Sequence, residues 1–371
     1  MTTAAGPTSA ITMTNIVKIR PVGELIDASA ARLRYLEMRP GSAEIKLEAP
    51  RPLPAGWGRV RVHACGVCGT DLHLFRGMDL PRSASYPVRP GHEVAGSLVE
   101  GEAPGLAAGA QIVLHPLLPC GACRACLGGA ENRCRTARAL GIDDPGGLAD
   151  EVLWPLARMV AVPDLEPDQA AVLADAVASA HHALGVAALP PGGALTVIGA
   201  GGVGTHILQL AHLLDPGARL TAVVRSRGTR ARLEELGLDL ALVEAGAGAA
   251  GRVLKATGPQ DAVIEFGAAE EAGREGAAML ARGGRLVFGS VSEEALAPAT
   301  TVSALVTREL QVLGTYTSTL ADLAAVAALA AGGRLDLSRS VSHRVPLAEA
   351  DRALDLLAER PPGMARVVVV P

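Results

Sequence analysis

The chain has 371 residues, 49% of them hydrophobic, with a formal net charge of -4 and only 2% aromatic residues. That length suggests about two domains, and the charge and aromatic content argue against a nucleic-acid partner. There is no basic, then apolar leader and no uninterrupted apolar run of membrane length, so the expectation is a cytoplasmic protein with no membrane partner.

Residues 1–12 are small and polar and read as a loose tail. Ala43–Ala49 and Gly58–Cys65 have strand character, the second by alternation at Arg59-Val60-Arg61-Val62-His63. The chain then reaches Gly66-Val67-Cys68-Gly69-Thr70-Asp71. Cys68 offers a thiolate, Thr70 a hydroxyl and Asp71 a carboxylate. His73 follows, and His92-Glu93 lies 24 positions beyond Cys68. Soft sulfur with imidazole is a zinc-type donor set, and a catalytic zinc keeps one position open by taking only three protein ligands. Gly91–Gly96 reads as a turn entering a strand, and Gly105–Val113 as another. This half of the chain is β-rich, antiparallel and suited to carrying metal.

Cys120, Cys123, Cys126 and Cys134 follow as C-x2-C-x2-C-x7-C. Four thiolates so close repel one another unless a cation neutralises them. A tetrahedral zinc does so and leaves no open position, which makes this site structural. Bacterial iron–sulfur runs place three residues before the fourth Cys and a Pro after it; here Arg135 follows a longer gap. The six cysteines of the chain therefore suggest metal in a reducing compartment rather than a disulfide scaffold.

From Leu165 the pattern changes. Asp168–Leu184 reads as a helix capped near Asp164 or Pro167. Ala194–Ile198 reads as a strand running into Gly199-Ala200-Gly201-Gly202-Val203-Gly204 and a helix from about Val203 to Leu214. G-x-G-x-x-G between strand and helix is a dinucleotide-binding turn. Further strands are expected at Leu220–Val224, Leu238–Val243, Asp261–Phe266, Arg285–Gly289 and Leu310–Tyr316. Helices are expected at Thr229–Leu236, Glu270–Ala281 and Val302–Arg308, completing a doubly wound parallel sheet. Helices at Leu320–Ala331 and Leu347–Glu359 and a strand at Ala365–Val370 can return to the first domain.

Zinc turn, four-cysteine lobe and dinucleotide fold, in this order, resemble the zinc-dependent medium-chain alcohol dehydrogenases from about Ile16 onward. The Cys65–His73 run is nearer the threonine, polyol and secondary-alcohol members. The resemblance implies an α/β protein with a GroES-like β-rich catalytic domain (residues 16–177 and 321–371, with the structural zinc lobe at 116–138). It also implies a Rossmann domain at 178–320 and a tail at 1–15. Cys68, His92 and Asp175 match the catalytic zinc ligands, Glu93 the acidic neighbour of that zinc, and Asp71 the residue that fixes the ligand histidine's tautomer. Thr70 matches the hydroxyl on the substrate oxygen and His73 the solvent end of the proton relay. Cys120, Cys123, Cys126 and Cys134 match the ligands of a second, structural zinc. A homodimer or homotetramer is expected, with residues 288–316 at the contact.

NAD-using members carry Asp or Glu at the end of the second dinucleotide strand. Here that position is Val224, followed by Arg225-Ser226-Arg227 with Arg230 close by. Guanidiniums bind a 2′-phosphate that a carboxylate repels, so NADP(H) is expected over NAD(H). The implied activity is reversible hydride transfer between an alcohol, secondary or polyol, and NADP. A non-catalytic scaffold, or a biosynthetic relative with no net oxidation of simple alcohols, is the alternative.

Several readings stay two-sided. Asp175 is a ligand or a solvated helical acid, and Arg225 and Arg227 are a phosphate site or a solvated turn. Cys65 is half of a C-x-x-C pair or a small buried thiol. Of His181 and His182, adjacent on a helix, at most one can face the cleft. Trp57, Trp154, Phe75 and Tyr316 line a pocket or pack a core.

Overall fold

A computed structural model describes residues 32–267, 269–292 and 300–371. The expected tail and the start of the catalytic domain lie outside the described residues, as does part of the expected 288–316 contact.

The first sheet has seven strands. Its path runs Val341–Pro346, Arg366–Val370, Trp57–Val67, Glu93–Glu100, Gln111–Leu114, Met159–Ala161, with Glu151–Pro155 also paired to Trp57–Val67. Val60, Val62 and Ala64 alternate inward with period two; Cys65 to Cys68 are then buried without a break, because the strand end runs under the cleft. Arg366–Val370 lies antiparallel to it, with Val367 opposite Val67, so the end of the chain borders the zinc turn.

The second sheet has six parallel strands in the order Leu240–Glu244, Arg219–Val224, Ala194–Ile198, Gln260–Glu265, Leu280–Phe288, Gln311–Gly314. This is a doubly wound order with the glycine turn after the central strand. Ala194–Ile198 is buried along its whole length, as a strand covered on both faces must be. Gly204 is required: a Cβ there would sit 2.3 Å from the Gly199 carbonyl oxygen.

The structure corrects several boundaries. The fifth strand begins at Leu280, not Arg285, and the preceding helix stops at Met279; an irregular register opposite Gln260 absorbs the early start. The long helix starts at Pro167 with Glu166 in the capping position, while Asp164 has a positive φ of 62°. Pro167–Ala187 is the one helix among the described residues long and apolar enough to cross a membrane, but 67% of its apolar window is buried inside the protein. It packs against both sheets and is broken by a π-helical turn at Leu173–Val177, which carries Asp175. The Ser42–Glu48 strand falls on the expected Ala43–Ala49, but its hairpin partner Leu33–Arg39, a helix at Gly69–Phe75 and another at Ala249–Thr257 were not expected from sequence.

Candidate active site and cofactor groove

Cys68 ends the long strand and caps the Gly69–Phe75 helix. Its Sγ accepts the Thr70 N–H at 3.3 Å, and Asp71 Oδ2 accepts the Cys68 N–H at 3.0 Å. This reciprocal capping box fixes the thiolate's direction. Gly66 pairs across the sheet with Glu93, which brings His92 beside Cys68. A Cβ on Gly66 would meet Glu93 Oε2 at 2.1 Å, so only glycine allows this approach.

Cys68 Sγ lies 3.2 Å from His92 Nε2, and Asp175 Oδ2 lies 3.7 Å from the same nitrogen. Ser179 Oγ donates to Asp175 Oδ1 at 2.9 Å. Donor atoms of Cys68, His92, Glu93 and Asp175 all lie within 4.8 Å of one another. Burial alone would lower the His92 pKa, but the Cys68 charge and the contacts to Asp175 and Cys68 outweigh it and raise it well above the usual value. Burial would raise Asp175, and His92 and Ser179 together hold it below the usual carboxylate range. Three converging donors of soft and hard type fit zinc. Glu93 stands behind them, fully buried, with Oε1 on Arg366 and Oε2 without a partner.

Thr70 is half-buried beside Cys68, and His73 is exposed on the same helix. Asp71 is fully buried; one oxygen is held by the Cys68 cap and Oδ1 has no partner. Cys65 is a free, fully buried thiol whose pKa burial pushes well up.

In the second cluster Cys123 and Cys126 sulfurs lie 3.4 Å apart and those of Cys120 and Cys126 3.9 Å apart. The edge of a tetrahedron with metal–sulfur bonds of about 2.3 Å is about 3.8 Å, so the four thiols are spaced for zinc. Backbone N–H groups of Ala122 and Cys123 pull the Cys120 thiol down to about 6, while desolvation and the Cys123 thiol push Cys126 up to about 12.

Gly201 and Gly202 open the Gly202–Leu214 helix, with Val203 and Gly204 in its first turn. At the ends of the parallel strands lies a groove of about 440 Å³ whose walls include Arg225, Gly246, Gly267, Arg274 and Ser290. Arg225 directly follows the Arg219–Val224 strand and is exposed; Arg227 is exposed as well. Ser226 caps the next helix by accepting the Thr229 N–H at 3.0 Å. Arg230 turns back onto the sheet, donating to the Leu242 carbonyl at 3.2 Å.

Arg366 was not foreseen. It lies against Gly202, where a Cβ would approach its Cδ to 2.8 Å, while pairing with Glu93. Nothing local in Arg366-Val367-Val368-Val369 marks it; only the strand pairing brings it there. Trp57 and Trp154 pack edge to face at 6.0 Å, and Trp154 is fully buried, so these rings are core. Phe75 also packs into that core, whereas Tyr316 is 60% exposed.

Two family profiles match in chain order: the alcohol dehydrogenase GroES-like domain over residues 54–164 and the zinc-binding dehydrogenase over residues 202–332. The "Probable alcohol dehydrogenase AdhA" of Mycobacterium tuberculosis (strain CDC 1551 / Oshkosh) is 33% identical over 335 residues, covering 88% of this chain and 92% of that protein. The chain belongs to the zinc-dependent medium-chain alcohol dehydrogenases. Other relatives of this dehydrogenase include the L-galactonate-5-dehydrogenase of Escherichia coli (strain K12), 28% identical over 78% of this chain and 84% of that one. A zinc-binding dehydrogenase from Sinorhizobium meliloti 1021, solved bound to NADP, is 29% identical with a TM-score of 0.80, covering 92% of this chain and 100% of that one. The protein is thus a zinc-dependent, NAD(P)-dependent alcohol or polyol dehydrogenase with a small alcohol or carbonyl substrate.

Proposed function

We propose that this dehydrogenase interconverts a secondary alcohol or polyol and its carbonyl product, with NADP(H) as the preferred cofactor. The carrying observation is Arg225: it directly follows Val224, the strand-end position where an NAD enzyme needs a carboxylate, and is exposed on the groove. The acidic residues of the groove wall are paired within that wall, Glu271 with the Gly246 N–H and Glu270 with Arg274. A guanidinium at that place favours a 2′-phosphate through charge-assisted hydrogen bonds. The NADP-bound relative and the galactonate relative support the cofactor and substrate class respectively.

Cys68, His92 and Asp175 would hold the catalytic zinc, with Glu93 next to it; Cys120, Cys123, Cys126 and Cys134 would hold the structural one. A zinc held there would supply Lewis-acid polarisation to the alcohol oxygen, and a bound nicotinamide would supply hydride chemistry. The chain itself does the rest. The burial of Cys68 and Glu93 keeps water from the ligand side of the site. Thr70, beside Cys68, receives the alcohol proton, and His73, exposed one turn on, passes it to solvent. The glycine turn and Arg366 hold the pyrophosphate.

The test of the cofactor assignment compares NADP+ and NAD+ turnover in the wild type and in Arg225→Glu. Replacing a charge-assisted contact of about 1.5–3 kcal/mol by a repelling carboxylate should raise KM for NADP+ by at least about 10-fold and leave NAD+ turnover undiminished. Equal use of both cofactors by the wild type would defeat the assignment.

A further inference from the structure

Between Cys126 and Cys134 the lobe carries a 3-10 turn, Glu131–Arg133, whose Glu131 and Asn132 side chains reach the rest of the protein. Asn132 is 4% exposed. Its Nδ2 donates to the Tyr316 carbonyl at 2.9 Å and to His182 Nε2 at 3.1 Å. A carbonyl only accepts, so the amide nitrogen must face Tyr316. His182 Nε2 must then be the accepting nitrogen, and its Nδ1–H donates to Asp322 Oδ2 at 2.9 Å. His181 reaches Asp322 Oδ1 at 2.7 Å, and Asp322 also closes a capping box with Thr319. One buried amide therefore fixes a tautomer on the helix that follows directly from Asp175.

The turn that Asn132 grips is strained. Thr317, a β-branched residue, has φ +43°. The turn follows the last strand of the parallel sheet, on the edge where the cofactor binds. Two of its backbone carbonyls, and the first N–H of the Leu320–Ala331 helix that follows, are held from outside. Asn132 takes the Tyr316 carbonyl, His115 Nε2 the Ser318 carbonyl at 3.1 Å, and Glu131 Oε1 the Leu320 N–H at 2.8 Å. Arg158 braces both holders, on His115 Nδ1 at 2.6 Å and on Glu131 at 3.6 Å. The tie thus joins four places: the four-cysteine lobe, the strained turn, the Asp175 helix and the 320–331 helix.

We propose that Asn132 is a positioning residue for catalysis, through which closure of the four-cysteine lobe sets the Tyr316–Ser318 turn and the helix carrying Asp175. This rests on the assignment of Asp175 to the active site. It gives the lobe a part in turnover besides stability, and it makes Asn132, which touches neither substrate nor cofactor, matter to kcat.

The test is Asn132→Leu, of similar volume without donors, with Asn132→Ser as the milder lesion should the first misfold. Zinc content, steady-state kinetics and amide hydrogen exchange over residues 315–322 and 178–187 are measured on the full chain. The expected result is two zinc ions per subunit as in the wild type, kcat lower by about tenfold, alcohol KM changed by less than about threefold, and faster exchange in both segments. Wild-type kcat and exchange would overturn the proposal. So would a loss of kcat that merely follows loss of zinc from the lobe, since that is a structural role. If the wild type reduced neither cofactor with any alcohol, the function assignment would fail instead, and the exchange comparison would still decide whether Asn132 fixes the turn.

Discussion

Arg366 reaches back 273 positions to Glu93 and forms with it an ion pair withdrawn from solvent, the side chains 9% and 0% exposed. One partner adjoins His92 in the candidate metal site; the other lies against the glycine turn at Gly202. A single contact therefore ties the metal side of the cleft to the cofactor side.

Breaking such a pair from one end leaves a buried charge without compensation, a cost on the order of 3–5 kcal/mol. Arg366→Ala should lower the thermal midpoint substantially and weaken cofactor binding. Glu93→Gln with Arg366→Met should recover most of the stability but not the cofactor affinity. Calorimetry and cofactor titration separate the two effects; recovery of both would show that Arg366 does not serve the cofactor.

Asp175 occupies the π-helical turn at Leu173–Val177 and faces His92. Asp175→Ala should remove one zinc ion per subunit and reduce kcat by at least about 10³-fold, while Asp175→Cys, which offers another legitimate zinc ligand, should retain the metal. Metal analysis of both variants checks this, and two zinc ions in Asp175→Ala would move the third ligand to Glu93.

Much of this site was legible in the sequence because its parts are local. The Cys68 turn, the four-cysteine run and the glycine turn each carry their chemistry within a few residues. The parallel strands are short, apolar and bounded by glycine and proline; Ala194–Ile198 and the Leu320–Ala331 helix fall where expected. What was illegible is what depends on pairing or packing. The Gly69–Phe75 helix starts with Gly-Thr-Asp, poor helix formers, and exists because Cys68 and Asp71 cap it. The Glu93–Arg366 pair needs two strands distant in sequence laid on either side of Trp57–Val67. Asn132 was invisible because its partners are backbone and imidazole atoms 50 and 184 positions away.

Two buried histidines make stability depend on acid. Burial, aided by Arg158, lowers His115 to about 4, and burial likewise lowers His206 to about 4. Unfolded histidine titrates near about 6.5, so between those values the unfolded chain binds protons that the folded one refuses. This stabilisation is complete above about pH 6.5 and is lost as pH falls toward 4. Thermal midpoints from pH 8 to 4 should show that decline, and His206→Gln should flatten part of it.

Zinc loading of the four-cysteine lobe should release protons. Cys126, pushed up to about 12, is protonated near neutral pH and must lose its proton to ligate. Titrating zinc into metal-free protein in buffers of different ionisation enthalpy should report at least one proton released per lobe, and a heat independent of the buffer would argue against thiolate ligation there.

The most direct measurement is absorbance at the NADPH band, with a panel of secondary alcohols and polyols, for protein as purified, after chelation and after zinc is restored. The expected result is NADP+ reduction with at least one alcohol class, its loss on chelation, and its return with zinc. Turnover that survives complete removal of zinc would contradict the role assigned to Cys68, His92 and Asp175.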